Sequence, residues 1–295
     1  MKNEKTIFAL GFFDGVHLGH RMLLQACRQF ASHMGCKAGA VTFCTHPEEI
    51  VTGSAPALIN TIEDRKKLMT QYGIQEILVL PFDAQLRSLS WIEFLQMLIK
   101  KGAVGFVCGD DFRFGYRGEG TAEKLSEFCR RMDLCWSVVP AQTLGDTRIS
   151  STYIRHLLVV GEIELANQFL GHPHILTGKV VAGQQLGRTI GIPTANLQLP
   201  EGVLCPRYGV YACKAMVEGK TYMAVTNVGM RPTVGGDQVT IEPWLLDFSG
   251  DLYGKELTLE FHGYLRPEEK FASLAELQAE IQKNAEETRK IFAES

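Results

Sequence analysis

Five short apolar runs separated by stretches of helical period fill the first 140 residues, and this alternation limits the fold more than any other feature of the chain. The runs are IFALGFF from Ile7, AGAVTF from Ala38, EILVLPF from Glu76, GFVCGDDF from Gly105 and CWSVVP from Cys135. Between them lie LGHRMLLQACRQFASHM, TIEDRKKLMTQYG, SWIEFLQMLIKKG and TAEKLSEFCRRM, each with apolar residues three and four apart. Thr61-x-x-Asp64 and Ser90-x-x-Glu93 have the spacing of capping boxes, which satisfy orphan amides at a helix start. Near-continuous apolar strands alternating with helices predict a parallel sheet covered on both faces, with ligands at the carboxyl ends of the strands.

At His172-Pro173 the period changes. ILTGKVVAG, TANLQL, GVYACKAMV, TYMAVTNVG, TIEPWLLDF and ELTLEFHGYL are short extended runs, and Glu218-Gly219-Lys220 marks a hairpin turn. A helical stretch from about Ser273 to Phe292 follows. The expected architecture is α/β: a Rossmann-like domain with a parallel sheet over residues 1–172, then a small antiparallel β-barrel with a C-terminal helix over 173–295.

Composition excludes several classes. The 295 residues are 45% hydrophobic and 21% charged, an ordinary globular balance with room for two cores. A net charge of −3 gives no basic field for nucleic acid. No apolar run approaches the roughly 20 residues that span a bilayer, and no signal peptide is recognisable. The eight cysteines form no CxxC pair and lie in apolar surroundings, so they are expected to be reduced, buried thiols of a cytoplasmic protein.

Gly11-Phe12-Phe13-Asp14-Gly15-Val16-His17-Leu18-Gly19-His20 ends the first strand and opens the first helix. His17 and His20 project from one face of its first turn, while Gly15 and Gly19 let a ligand approach the backbone. Free amides and the positive helix end favour phosphate, and two imidazoles there stabilise charge on a transferring phosphoryl group. Capping alone would account for two isolated histidines. Their place at the first strand-to-helix turn, between glycines, favours a nucleotide site including Gly11, Phe12, Asp14 and Gly15. Ser150-Ser151-Thr152 with Arg155 one turn on repeats the pattern after the fifth strand, supplying hydroxyls, amides and a cation for nucleotide phosphates. In Asp110-Asp111-Phe112-Arg113-Phe114, aromatic and arginine residues alternate, suiting a flat ring and its phosphate.

In the second half, Gly178, Lys179, Gly187 and Arg188 suit a polyphosphate, although no Gly-Lys-Ser/Thr of a Walker A loop is present. Thr194 and Asn196 share one face of an extended segment and are neutral oxygen donors suited to Mg²⁺, although two surface polar residues on a strand rim explain the pattern as well or better. Glu242, among apolar residues, is placed to accept an alcohol proton; a surface carboxylate competes, and Pro243 suggests an edge strand or bulge.

In order, GFFDGVHLGH, TFCTHP, CGDDFRFG, ISSTYIR, LGRTIGIPTANL, GVYA, NVGMRPT, IEPWLLDF, DLYGKEL and LRPEEKF resemble the prokaryotic bifunctional riboflavin kinase/FMN adenylyltransferases, or FAD synthetases. The resemblance implies ATP-dependent phosphorylation of riboflavin to FMN and adenylylation of FMN to FAD with Mg²⁺. Its ligands are then riboflavin, FMN, FAD and ATP or ADP; no nucleic acid or membrane partner is expected, and weak homo-oligomerisation stays open. It implies that His17 and His20 serve adenylyl transfer, and that Ser151, Thr152 and Arg155 hold nucleotide phosphate. Phe43, Asp111, Phe112 and Phe114 would contribute to the FMN site. Thr194 and Asn196 would hold Mg²⁺–ATP, Glu242 would be the general base, and Arg231 and Arg266 would frame the flavin. The chain departs from the family pattern at Thr45, at Pro243-Trp244 and at Asn284. The rival readings are a monofunctional adenylyltransferase with a flavin-binding barrel and a non-catalytic flavin sensor. Retention of Thr194, Asn196 and Glu242 argues against the first, and retention of His17 and His20 against the second.

Overall fold

A computed structural model describes residues 5–46, 55–182, 191–233 and 236–293, with backbone alone for 231–233 and 236–238. The chain divides into two compact units. One comprises residues up to Ala57 with Arg65–Ser151; the other comprises Leu58–Asp64 and the chain from Thr152 onward.

In the first unit the five apolar runs become β1 (Thr6–Leu10), β2 (Lys37–Phe43), β3 (Glu76–Leu80), β4 (Ala103–Gly109) and β5 (Cys135–Val139). They form a parallel sheet in the order β3-β2-β1-β4-β5. Every residue of central β1 is buried, as helices on both faces require. Side chains such as Phe8 and Leu10 each contribute about 1.5–3 kcal/mol by leaving water. The chain reverses direction across the sheet between β1 and β4, so their carboxyl ends splay apart and leave a crevice.

Four expected helices form: α1 (Leu18–Met34), α2 (Ile62–Gln71), α4 (Trp91–Lys100) and α5 (Ala122–Arg131). A short α3 (Ala84–Ser88), not anticipated, precedes α4. The Ser90–Glu93 capping box is complete, with the carboxylate accepting from the Ser90 amide at 2.8 Å. At α2 the Asp64 amide donates to Thr61 Oγ1 at 3.0 Å, but the shorter aspartate turns to the Thr61 and Thr177 hydroxyls. A two-stranded ribbon, β6 (Thr143–Leu144) with β7 (Thr147–Arg148), ends this part of the chain.

The second unit contains α6 (Ser151–Val160) from Thr152 onward, α7 (Ile163–Leu170) and a closed barrel ordered β10-β11-β12-β9-β8-β13. Its strands are β8 (His174–Val181), β9 (Asn196–Leu197), β10 (Gly209–Val217), β11 (Lys220–Thr233), β12 (Gly236–Leu245) and β13 (Glu256–Arg266). The β10–β11 turn places Glu218 (φ 50°) and Gly219 (φ 76°) in left-handed conformation, the type I′ geometry of a two-residue hairpin. The helix α8 (Leu274–Ala293) seats Ala285 against Val210, Val225 and Leu246, with Trp244 beside them. Arg289 of α8 holds the Asp247 carboxylate with two bonds of 2.9 and 3.0 Å.

Pro243 does not mark an edge. It lies in β12, paired with Thr226 of β11. Its carbonyl accepts from the Ala195 amide, so its nitrogen faces the short β9 side, where few ladder bonds form and a missing N–H is harmless. The cysteines are all free, as expected, but not all buried: Cys44 is exposed, whereas Cys27, Cys108, Cys129 and Cys213 lie in the interior.

His174 opens β8 fully buried, and among the described residues neither ring nitrogen has a hydrogen-bond partner. Burial, then the neighbouring His172, pushes its pKa down to about 3. The unfolded chain therefore binds a proton below pH ~6.5 that the folded chain refuses, and stability falls as pH drops from about 6.5 toward 3. His174→Leu should reduce that acid-limb slope by up to about 1.4 kcal/mol per pH unit, as urea unfolding from pH 7 to 4 would show. Identical slopes in the two proteins would contradict the assignment.

Candidate active site

The turn from β1 into α1 is locally unusual. Phe13 (φ 58°), Gly15 (φ 78°) and Val16 (φ 41°) all adopt left-handed backbone. Glycine does so freely, but a β-branched residue there stores roughly 1–3 kcal/mol and persists only where the surroundings hold it. The surroundings include Arg65 of α2, whose side chain is fully buried. Its Nη1 donates to the Phe12 carbonyl at 2.7 Å and to Thr42 Oγ1 at 3.2 Å, and its Nη2 to the Phe43 carbonyl at 3.2 Å. The guanidinium lies 4.5 Å from the Phe12 ring centre. Burial lowers the Arg65 pKa, opposed by the charges of Asp14 and Cys44; an arginine nevertheless stays cationic.

This turn delivers His17 as the N-cap of α1. Its Nδ1 accepts from the His20 amide at 3.2 Å, so that nitrogen carries no proton and the neutral ring presents an Nε2–H. The rings of His17 and His20 stack at 3.6 Å, 11° from parallel, and Phe13 meets His20 edge-on at 5.2 Å. Burial, then His17, then Arg65 hold the His20 pKa well below 6.5. The pair thus meets a phosphate with a neutral His20 that serves through hydrogen bonds, not as a second cation.

A cleft of about 430 Å³ opens at the carboxyl ends of β1 and β4. Gly11, Phe12, His17, Gly19 and His20 line one side; Asp110, Asp111 and Phe112 line another, and Arg148 with Ser150 and Ser151 closes it. Ser151 Oγ donates to the Asp14 carbonyl at 2.9 Å, tying the two phosphate-type segments together. The carboxylate of Asp111 pairs with Arg148, and Asp110 accepts from the Ala141 amide at 3.1 Å. Asp14 is buried in the turn beside Gly15. Phe43 and Phe114 instead belong to the hydrophobic core; Phe114 stacks under Phe112 at 5.6 Å. Thr152 lies in the first turn of α6 and Arg155 in the second, exposed and half-buried respectively.

In the second unit Thr194 and Asn196 are half-buried, whereas Ala195 and Leu197 beside them are buried, so the two oxygen-bearing side chains share a face. Among the described residues no group of three or more His, Cys, Asp or Glu side chains is placed to hold a metal. A hydrated divalent ion that shares neutral oxygens with a polyphosphate suits such a donor set; a thiolate or imidazole metal does not. Gly178 and Lys179 lie in β8. A Cβ on Gly178 would come within 2.5 Å of the Gln198 carbonyl, so close packing already requires glycine there. Gly187 and Arg188 lie outside the described residues. Half-buried Glu242 sits on β12 directly opposite Asn227, whose amide donates to Glu268 at 3.4 Å. Arg231 lies on β11, and Arg266 ends β13. The Arg266 Nε donates to Asn284 Oδ1 at 3.1 Å, and Glu280, one helical turn before Asn284, places a carboxylate 3.7 Å away.

Sequence reading missed Arg65, Arg148, Asp110, Asn227 and Glu268. Asp110 had a signal in its place at a strand end beside Asp111, and Asn227 and Glu268 lie in the family-like segments NVGMRPT and LRPEEKF. Arg65 follows Asp64 in a stretch of ordinary helix-surface composition, and nothing local shows that it is buried.

A switch-point cleft lined by helix-start histidines, in one chain with a closed antiparallel barrel, defines a nucleotide-dependent transferase with two working units. Residues 1–153 match the model of the FAD synthetase family and residues 170–292 that of riboflavin kinase. The bifunctional riboflavin kinase/FMN adenylyltransferase of Listeria monocytogenes is 36% identical over 97% of this chain and 92% of its own length. That of Escherichia coli K12 is 37% identical over 98% and 93%. A solved structure described as a macrolide-efflux protein from Streptococcus pneumoniae superposes with a TM-score of 0.88 at 31% identity, covering 98% of this chain and 95% of that one. Among the described residues no helix is long and apolar enough to cross a membrane. The chain belongs to the bifunctional riboflavin kinase/FMN adenylyltransferase family. It is an enzyme of flavin cofactor synthesis that uses ATP and a divalent metal.

The lowered pKa of His20 is directly measurable. In ¹³Cε1-histidine NMR, the resonance lost in His20→Gln should remain that of a neutral ring at pH 6. A titration midpoint at or above 6.5 would contradict the packing described.

Proposed function

We propose that the two reactions are divided along the chain, with adenylyl transfer in residues 1–172 and riboflavin phosphorylation in 173–295. The observation that carries the first assignment is the stacked His17–His20 pair at the mouth of the switch-point cleft. An FMN phosphate oxygen attacks the α-phosphorus of ATP, and the bond to the pyrophosphate oxygen breaks. The attacking oxygen is already anionic, so no general base is needed. The Nε2–H of His17 and the ring of His20 hydrogen-bond the charge that develops. Gly11, Phe12, Asp14 and Gly15 shape the phosphate turn, Ser151 and Thr152 hold phosphate oxygens, and Arg155 neutralises them. The isoalloxazine ring lies against Phe112 beside Asp111, with Phe114 and Phe43 backing that wall from the core.

In the barrel, the ribityl 5′-hydroxyl attacks the γ-phosphorus of ATP, ADP leaves, and the hydroxyl proton passes to Glu242. Gly178, Lys179, Gly187 and Arg188 cradle the polyphosphate, and Arg231 and Arg266 frame the flavin. Thr194 and Asn196 would hold Mg²⁺, which supplies charge neutralisation on the ATP phosphates. The protein works in the cytoplasm on riboflavin, FMN and FAD, without nucleic-acid or membrane partners, and weak homo-oligomerisation is compatible with this reading. Its net charge of −3 supports the exclusion of nucleic acid.

Separating the flavins formed from riboflavin, ATP and Mg²⁺ tests the division. His17→Ala with His20→Ala should abolish FAD formation and leave FMN formation intact. Glu242→Gln should lower riboflavin phosphorylation by about 10²–10⁴-fold and spare FAD formation from supplied FMN. If either variant loses both activities while circular dichroism shows it folded, the division is wrong. EDTA should stop both steps, and a step that persists in metal-free buffer would remove the metal from it.

A further inference from the structure

The buried guanidinium of Arg65 is unexplained by either reaction. It comes from α2, does not line the cleft, and is buried more completely than either histidine. Stability alone is a poor reason to bury an arginine, because removing the charge from water costs more than most ion pairs return. Its bonds go to three specific groups: the Phe12 carbonyl in the β1–α1 turn, and Thr42 Oγ1 and the Phe43 carbonyl at the end of β2. Thr42 Oγ1 itself donates to the Phe12 carbonyl at 2.7 Å, so one carbonyl gathers both bonds. The next residues, Phe13 and Val16, hold left-handed backbone that the chain would otherwise relax. The residue after Val16 is His17, the α1 N-cap.

We propose that Arg65 is the positioning residue of adenylyl transfer: by fixing the Phe12 carbonyl it holds the strained turn that aims His17 and His20 into the cleft. This rests on the assignment of adenylyl transfer to those histidines. Arg65 touches no reacting atom in this role. Its charge has a second consequence, because it disfavours a proton on His20. The charged and titratable groups around His20 are His17 beside it, Arg65 from α2 and Asp14 in the turn, with Asp110, Asp111 and Arg148 across the cleft.

The test uses the full chain with Arg65→Met, Arg65→Gln and Arg65→Lys, assayed for FAD formation from FMN and for riboflavin phosphorylation as an internal control of folding. Misaimed histidines weaken the transition state more than substrate binding, so kcat for FAD formation should fall at least about tenfold in the Met and Gln variants, with KM for FMN and ATP within about threefold. The His20 resonance should titrate at higher pH in both, because the cation is gone. Arg65→Lys keeps a charge and three donors and should restore kcat to within about fivefold. If the methionine variant does not fold, the glutamine variant decides. A folded variant without the charge but with unchanged kcat and His20 titration overturns the inference. A fall in KM-determined affinity alone also overturns it, since that is loss of binding, not of aim. The histidine double variant, run in parallel, separates the two ideas: full FAD formation there refutes the underlying assignment instead.

Discussion

One buried cation organises the working edge of the parallel sheet. The carboxyl ends of β1 and β2 expose carbonyls that helix and strand bonding leave over, and a buried carbonyl without a donor is costly. Arg65 supplies fixed, planar donors to the Phe12 and Phe43 carbonyls at once. The turn it secures contains three left-handed residues and ends at the N-cap of α1. His17 follows directly on that turn, and the Arg65 charge adds to burial and to His17 in keeping the His20 ring neutral.

The two imidazoles then act as a unit. A ring separation of 3.6 Å makes a second positive charge unfavourable, and Arg65 adds to the penalty. Neutral donors at a helix start complement the partial positive charge of its amides, and together they suit an anionic group that gains charge during transfer. The opposite wall, with the Asp111–Arg148 pair and Phe112, supplies a different chemistry: a flat apolar face with polar groups at its rim.

The barrel solves a separate problem. It carries a half-buried carboxylate, Glu242, on a strand that tolerates the proline after it because that proline faces the short β9, where few ladder bonds form. Trp244 packs toward α8, so the departure at Pro243-Trp244 is absorbed by helix packing. At Asn284 the neutral amide accepts from Arg266, and Glu280, one turn away, supplies the charge.

The order of elements was legible in the sequence because it is a local matter: apolar runs and helical periods declare strands and helices, and the fused motifs declared both activities. His17, His20, Ser151 and Asp111 were legible as cleft residues because each sits at a strand end or helix start, where sequence position implies spatial position. Arg65 was not, since its partners lie 22 to 53 residues away and its neighbours in the sequence are those of a solvated helix face. Nor was the fate of Phe43 and Phe114, because whether an aromatic residue at a strand end faces the cleft or the core depends on which elements pack behind it. The sequence by itself determined what chemistry the chain carries; the tertiary structure decided how the groups are aimed and protonated, because aim and pKa arise from contacts between segments far apart in the chain.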